Sequence, residues 1–402
     1  MGVHEARNDV NPRVLPRHGE RVGVTRLALT DFRNYRSERL DLAAGPVVLT
    51  GPNGAGKTNL LEAVSVLSPG RGLRNARLGD LDRRCGTDEP ETNGWAVAAT
   101  IETERGAVRI GTGRDPAGGE RRVVRIDGET VRGQATLGEV IGVTWLTPQM
   151  DRLFIEGPSA RRRFLDRLVL GFDPAHAARA AAYEHAMRER SRLLRDSNLS
   201  GKAADPAWLD ALDETMAAQG VAVAAARRDA VERLDEACAT AGGPFPRARL
   251  SLAGTVETWL DELPALAAED RFKTALKDSR AADAISGGAG VGPHRSDLAV
   301  THAEKGIPAD SLSTGEQKAL LISIILAHAR LQRQTRGEPP LLLIDEVAAH
   351  LDVTRRTALF ETLLGLESQV WLTGTDAALF APLRGTARFL SVHDGILSET
   401  TL

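Results

Sequence analysis

The spacing of apolar and polar positions divides the chain into stretches of different period. "RVGVTRLALTDFRNYRSERLDLAAGPVVLT", ending at Thr50, alternates with a period of two and predicts two or three strands. It runs into the apolar strand, glycine-rich loop and amphipathic helix of "VVLTGPNGAGKTNLLEAVSVL". From Trp95 to Ile141, short alternating segments ("GWAVAATIE", "AVRIGTG", "RRVVRIDGE") separated by glycine-bearing turns predict an antiparallel meander. The period changes near Pro158. "GPSARRRFLDRLVLGF" opens a helix with Pro158 and Ser159 at its start. In the alanine- and arginine-rich region that follows, Tyr183, Met187 and Leu194 share one helical stripe, and Trp208, Leu212, Met216 and Val223 share another. The break "DSNLSGKAADP" between them predicts a helical hairpin. Its helices reach about 50 Å at ~1.5 Å per residue, far short of a long coiled-coil arm. "RARLSLAG" predicts one more strand, and "ETWLDELPALAAEDRFKTALKDSRAAD" one or two helices. From "GGAGVGPHRSDLAV" onward the β/α alternation returns. The expected fold class is α/β: a split head of residues 21–155 and 285–402, with a mixed sheet and an antiparallel meander, and an inserted helical arm domain of residues 156–284.

Composition narrows the function classes. A chain of 402 residues, 42% hydrophobic and 26% charged, is globular and long enough for two domains or one large split one. Aromatics at 4% argue against base-stacking platforms as the main device for holding nucleic acid. A net charge of −3 excludes a uniformly basic binder and leaves room for a local basic groove. Only six of the 51 basic residues are lysines; with alanine abundant too, a GC-rich genome is the bland explanation. Cys85 and Cys238 lack Cys-x-x-Cys spacing, so neither a zinc site nor a disulfide framework is indicated, which fits a reducing cytoplasm. Residues 1–20 contain no apolar h-region and are expected to form a disordered tail rather than a signal peptide. No run of ~18 apolar residues occurs, so a soluble chain without a membrane span is expected.

The loop Gly51-Pro52-Asn53-Gly54-Ala55-Gly56-Lys57-Thr58 satisfies Gly-x4-Gly-Lys-Ser/Thr, with a strand before it and a helix after it. Such glycines let backbone N–H groups converge on phosphates, aided by the helix N-terminus. In this motif Lys57 serves the β- and γ-phosphates of ATP, and the Thr58 hydroxyl serves Mg²⁺. The flanking strand and helix weigh against a chance glycine-rich turn. In "PPLLLIDEVAAHLD", Leu341 to Ile344 is an apolar run suited to a strand buried on both faces. It ends in Asp345 and Glu346, where ligands sit in parallel sheets. Asp345 is expected to hold Mg²⁺ through water and Glu346 to polarise the attacking water. An Asp-Glu after a strand is ordinarily a solvated loop; the P-loop in the same chain makes that the weaker reading. "LSTGEQKALLISIILAHARL" opens a helix that presents Ser313, Gly315, backbone N–H groups and the helix dipole to an anion. Alone this is a capped helix. Placed shortly before the strand and the Asp-Glu, it has the order of the ATP-binding-cassette signature, which in that class closes on ATP held by a second subunit. A site shared across an ATP-dependent homodimer is therefore expected.

"LTDFRNYRSERLDL", "GRGLRNARLGDL", "GPSARRRFLDR" and "GPHRSDL" resemble, in order and spacing, the RecF family of bacterial recombination mediators, from about Val24 to the C-terminus. The resemblance implies a cytoplasmic cassette ATPase of the Rad50/SMC type that dimerises on DNA with ATP and acts at gaps and stalled forks. By the same resemblance it works with RecO and RecR to load RecA, on single-stranded DNA and single/double-strand junctions, in repair, replication and the SOS response. The chain departs from the family pattern in places. Gln149 in "WLTPQMDRLF" occupies the Q-loop position, with a link to the metal, where the family has Pro-Glu. The D-loop reads "AAHLD", and "VWLTGTD" carries Thr373 and Thr375 where cassettes often carry a switch histidine. His350 lies too close to Glu346 in sequence to be that histidine. Slow hydrolysis, as for a switch, is expected from these departures, and the resemblance implies that the ATPase depends on DNA. The DNA-contacting candidates are Arg71, Arg74 and Arg77 after the P-loop helix, and Arg161, Arg162 and Arg163 at the base of the arm. Guanidinium groups suit phosphate oxygens, although solvated surface arginine is the ordinary state of such residues. The main alternative is the ATPase subunit of an ABC transporter, which normally carries the switch histidine and lacks an arm of this size. An SMC-like tether is excluded by arm length, and an OLD-like nuclease needs an added acidic metal-binding domain.

Overall fold

The computed structural model describes residues 22–83, 94–115, 121–348 and 351–400. The tail at 1–20, Cys85 and His350 lie outside the described residues. The chain begins with β1 (Gly23–Phe32), β2 (Tyr35–Asp41) and β3 (Val47–Thr50), and then helix α1 (Lys57–Ser65). The meander is β4 (Ala96–Thr103), β5 (Gly106–Arg114), β6 (Arg122–Ile126) and β7 (Glu129–Thr130), followed by α2 (Ala135–Val140) and β8 (Val143–Leu146). The helical stretch holds α3 (Pro158–Leu170), α4 (His176–Ser200), α5 (Pro206–Ala239), β9 (Ala248–Ala253), α6 (Thr255–Glu262), α7 (Ala265–Asp278) and α8 (Arg280–Ser286). The chain closes with β10 (Asp297–His302), β11 (Ile307–Pro308), α9 (Thr314–Arg336), β12 (Leu341–Ile344), α10 (Val353–Gly365), β13 (Val370–Gly374), β14 (Arg388–His393) and β15 (Ile396–Glu399).

The fold is the expected α/β head with an attached helical arm, and local chemistry accounts for where it departs from the sequence reading. Residues 135–140, read as the end of the meander, are helix. The hairpin break is shorter than its polar composition suggests, because α4 continues to Ser200 and stops at Gly201 in the left-handed conformation. Helix α5 then starts on Pro206, with the Asp205 carboxylate accepting from Ala207 N at 2.9 Å. At its 34 residues α5 spans about 50 Å. The stretch read as one or two helices is three, divided at Pro264 and Ser279. On the predicted stripes Tyr183, Leu194, Met216 and Val223 are buried, whereas Trp208, in the first turn of α5, is 48% exposed.

Two six-stranded sheets sandwich α1. The antiparallel sheet has the order β2-β1-β4-β5-β6-β7, and the other runs β15-β14-β3-β13-β12-β8, all parallel except the edge strand β15. Alternation along the parallel strands splits their side chains between two cores. Val47, Leu49, Leu341, Leu343 and Trp371 join α1 and the antiparallel sheet in one. Val48, Leu342, Ile344, Val370 and Leu372 join α9 and α10 in the other. This double burial is why these strands read as unbroken apolar runs.

The second core also takes Phe164, Leu165, Leu168 and Val169 of α3 and Val231, Leu234 and Cys238 of α5. A third sheet, β11-β10-β9, joins strands from either side of residue 284. The proposed arm of residues 156–284 is thus rooted in apolar packing that it shares with the head. Its distal part has a core of its own around Tyr183, Met216, Val221, Trp259 and Phe272. Beside that core lies Arg190, 0% exposed, bonded to Asp213 at 2.6 Å, Asp283 at 2.7 Å and the Leu276 carbonyl at 2.6 Å. Among the described residues no helix is long and apolar enough to cross a membrane.

A buried charge deprived of its partner is costly. Arg190→Met is expected to lower the unfolding free energy by roughly 3 kcal/mol in urea titrations. The low end of the usual range applies because Asp213 keeps Arg280 and Asp283 keeps the Ser279 hydroxyl. A loss under ~1 kcal/mol would show that the arm does not depend on this pair.

Candidate nucleotide site

Parallel strands deliver their carboxyl ends to one edge of the sheet. In the order β3-β13-β12-β8 those ends are the Gly51 loop, Thr373, Asp345-Glu346 and Thr147-Pro148-Gln149. The register is Leu49↔Thr373 between β3 and β13, Ile344↔Leu372 between β13 and β12, and Ile344↔Leu146 between β12 and β8. Groups far apart in sequence are therefore brought together by the ladder alone.

The loop from Gly51 to Thr58 is held at a shape that only glycine permits at two points. Gly51 has φ +147°, and a Cβ there would lie 2.2 Å from the Val392 carbonyl oxygen of β14. Gly56 has φ +118°, and a Cβ there would lie 2.5 Å from Asn34 Nδ2. The β1–β2 turn braces the loop from outside: Asn34 Nδ2 donates to the Ala55 carbonyl at 3.1 Å, and the Tyr35 hydroxyl donates to the Gly56 carbonyl at 2.9 Å. Pro52, Asn53 and Gly54 remain exposed. Lys57, 4% exposed, donates to the Gly51 and Pro52 carbonyls at 2.8 and 2.9 Å. Burial lowers the pKa of its ammonium, against the opposing pull of Glu346 and Asp345.

Asp345, 4% exposed, collects hydroxyls from two directions. Thr58 Oγ1, in the first turn of α1, lies 3.0 Å from both of its carboxylate oxygens. Thr373 Oγ1 donates to Oδ1 at 2.7 Å. The backbone N–H of Glu346 donates to that same Thr373 oxygen at 2.9 Å, and Glu346 has φ +52°. The loop, the helix N-terminus and the ammonium fit a nucleotide phosphate chain. One carboxylate and one hydroxyl fit Mg²⁺, which is usually held by one or two carboxylates together with phosphates and water. Gln149 is exposed on the 3-10 turn Pro148–Arg152, which follows β8 and so starts beside Asp345.

The signature opens α9. Ser313, Thr314 and Gly315 are exposed, and the first turn closes as a capping box: Glu316 Oε2 accepts from Ser313 Oγ at 2.6 Å and from Ser313 N at 3.0 Å. Lys305 and Ser313 hold the Glu316 carboxyl down to about 2. Among the described residues no hydrogen bond or ion pair joins Ser313–Gln317 to Gly51–Thr58. Lys318, one residue further along α9 and 5% exposed, pairs with Asp151 at 3.0 Å and so ties the signature helix to the Gln149 turn.

The arginine candidates divide. Arg161 is a strut, not a free cation: Nε and Nη2 engage Asp297 at 2.7 and 2.8 Å, and Nη1 bonds the Phe154 and Glu156 carbonyls. Arg74 is similarly committed, to Asn59 at 2.6 Å and to buried Glu62 at 3.0 Å. Arg162 donates to the Ser296 carbonyl at 2.7 Å. Arg71, Arg77 and Arg163 are exposed and make no ion pair with a described residue. Of the six candidates, Arg161 and Arg74 are thus engaged by carboxylates of this chain, and Arg71, Arg77 and Arg163 are the ones left without such a partner among the described residues. Thr373 was visible in sequence only as one of two threonines, with Thr375, standing where a histidine was expected. Its support of the Asp-Glu pair depends on strand order, which local spacing does not reveal.

The family model described as "RecF/RecN/SMC N terminal domain" matches residues 23–397. The chain is 50% identical over 383 residues to "DNA replication and repair protein RecF" of Mesorhizobium japonicum, covering 94% of this chain and 98% of that one. The fold is similar to a solved structure of "the recombination mediator protein RecF-ATPrS in RecFOR pathway", with TM-score 0.82 and 21% identity over 96% of this chain and 100% of that one. It is similar also to a solved structure of "the recombination mediator protein RecF-ATP in RecFOR pathway", with TM-score 0.79 and 22% identity over 95% of this chain and 98% of that one.

Gly51→Ala is expected to weaken ATP binding at least tenfold in equilibrium titration, because the new methyl meets the backbone of β14 rather than a movable side chain. Binding within twofold of the unaltered chain would show that β14 yields.

Proposed function

This chain belongs to the RecF family of ATPases, and from that premise we propose that it is an ATP-switched, DNA-binding clamp of replication and repair. The observation that carries the reading is the convergence of the P-loop, Asp345-Glu346 and Thr373 at one sheet edge, together with an exposed signature that none of them engages. ATP with Mg²⁺ supplies the cleavable phosphoanhydride and the charge that loads the switch. Gly51 to Thr58 hold the phosphates, Lys57 neutralises them, and Thr58, Asp345 and Gln149 hold the cation. Glu346 accepts the proton of the attacking water. Ser313 and Gly315 of one protomer close on the nucleotide of a second, so that ATP drives a homodimer and slow hydrolysis releases it.

In this reading DNA is gripped through its backbone, at single strands and single/double-strand junctions, and the protein works in the cytoplasm with partners equivalent to RecO and RecR to load RecA, in gap repair and the SOS response. These finer statements rest on the family alone. ATP-dependent binding to gapped against blunt duplex DNA tests them most directly: equal affinity for both would remove junction recognition.

Ser313→Arg is expected to leave ATP affinity within about threefold and to abolish ATP-induced dimers in sedimentation velocity, since a long cation replaces the hydroxyl at the closing surface. Normal dimers would place the signature away from the interface.

Replacing Arg71, Arg77 and Arg163 together by alanine should weaken ATP-dependent DNA binding similarly for all sequences. It should also flatten log affinity against log salt by roughly one unit for each DNA phosphate no longer neutralised. Arg161→Ala should instead lower the melting temperature, by leaving Asp297 without its guanidinium. An unchanged salt slope in the triple variant would move the DNA surface elsewhere.

A further inference from the structure

Thr373 has the geometry of a working part, although it lies where cassettes often carry a switch histidine and is not one. It lies near the end of β13, between the P-loop strand and the strand that carries Asp345, and is 1% exposed. A threonine hydroxyl has one hydrogen to give and lone pairs to accept with. Here the hydrogen goes to Asp345 Oδ1 at 2.7 Å, and a lone pair takes the Glu346 N–H at 2.9 Å. One oxygen thus bridges the metal-side carboxylate and the backbone of the residue assigned as base.

The second bond matters because of the conformation it supports. Glu346 has φ +52°, in the left-handed region that side chains other than glycine, asparagine and aspartate rarely adopt. Such a residue persists only where its surroundings hold it. On one side of it, Asp345 N donates to the Leu146 carbonyl of β8 at 2.9 Å. On the residue itself, the Thr373 hydroxyl takes the amide. Thr58, the other hydroxyl on Asp345, belongs to the cation site. Thr373 has already used its hydrogen and makes its two bonds from within the sheet, so it is suited to support rather than to ligation.

We propose that Thr373 is a positioning residue for ATP hydrolysis, its hydroxyl locking the Glu346 backbone in the left-handed conformation while orienting the Asp345 carboxylate. The proposal rests on the assignment of Glu346 as the base, and its test separates the two. Thr373→Val keeps the β-branched shape of the strand and removes both bonds. It is expected to lower kcat by about 10- to 100-fold, the scale of a misplaced catalytic group, with KM for ATP within about threefold. Hydrogen exchange, read on the nucleotide-free protein, is expected to show the Glu346 amide protected in the unaltered chain, fast in Thr373→Val and protected again in Thr373→Ser, which should also recover kcat. Glu346→Gln serves as the reference: full activity in that variant overturns the role of Glu346 as base, while the exchange data still report whether Thr373 holds the backbone. The proposal itself is overturned by a fast-exchanging Glu346 amide in the unaltered chain, a result that needs no variant to fold. It is equally overturned by wild-type kcat in Thr373→Val, or by a serine variant as impaired as the valine one.

Discussion

The carboxylate of Asp345 is the group on which the arrangement of the site depends. An ionised carboxylate 4% exposed loses several kcal/mol of hydration, and the loss is tolerated only where donors replace water. Its donors come from separate elements, Thr58 from α1 and Thr373 from β13. The demand fixes strand register as well as strand order. Side chains alternate along β13: Val370 and Leu372 enter one core and Trp371 the other, with Thr373 on the parity of Trp371. A slip of one residue would turn that alternation over and set a leucine against the charge. The opposite end of the strand is pinned as well. Gln369, 0% exposed, accepts from Val24 N at 2.8 Å and donates to Val24 O at 2.9 Å, fastening β13 to the antiparallel sheet. The strand between the P-loop and Asp345 is therefore held by polar side chains at both ends and by apolar burial between them.

The stretch Gly292 to Leu298 plays the corresponding part for the arm. The Pro293 carbonyl accepts from Arg227 of α5 at 2.6 Å, and His294 Nδ1 meets the Tyr183 hydroxyl of α4 at 2.7 Å. Ser296 accepts from Arg162 of α3 through its carbonyl and donates its hydroxyl to Glu257 of α6, and Asp297 pairs with Arg161. One short segment thus clasps four helices, which gives its unusual composition a structural purpose separate from nucleotide chemistry. Helix α3 in turn packs with α9, and Lys318 of α9 pairs with Asp151 beside Gln149. Arm base, signature helix and Q-loop turn are linked by contiguous packing and ion pairs, the physical substrate that coupling between distant sites requires.

What the sequence disclosed and what it withheld follow from the range of the interactions. The P-loop, the Asp-Glu after an apolar strand and the capped signature helix are each set by neighbours within a few residues, so their spacing was legible. The doubly buried strands were legible too, since burial on both faces leaves an unbroken apolar run. Thr373 was not, because its partner Asp345 lies 28 residues away and meets it only through strand order. Arg161 invited misreading for the same reason: three consecutive arginines look like a cationic surface until Asp297, 136 residues on, occupies one of them. The hairpin break was overdrawn because polar residues near a helix end remain helical until a left-handed glycine stops them, as Gly201 does.

The capping box at Ser313 bears on how the proposed dimer would close. The hydroxyl that is to meet a partner's phosphate is engaged by Glu316 in this chain. Closing would exchange one anionic acceptor for another, and charge-assisted bonds of similar kind nearly balance. Losing Ser313 Oγ does not strand Glu316, which keeps Lys305 and the Ser313 N–H as donors. The helix therefore stays capped while its hydroxyl turns outward, and the adjoining backbone N–H groups remain aimed along the helix axis at an incoming anion. The carboxylate is not a bare repulsive charge in that process, since Lys305 pairs with it and no net charge needs to move. A first turn capped in this way is already formed before its ligand arrives, so closing need not order it and costs chiefly the entropy of the two surfaces coming together.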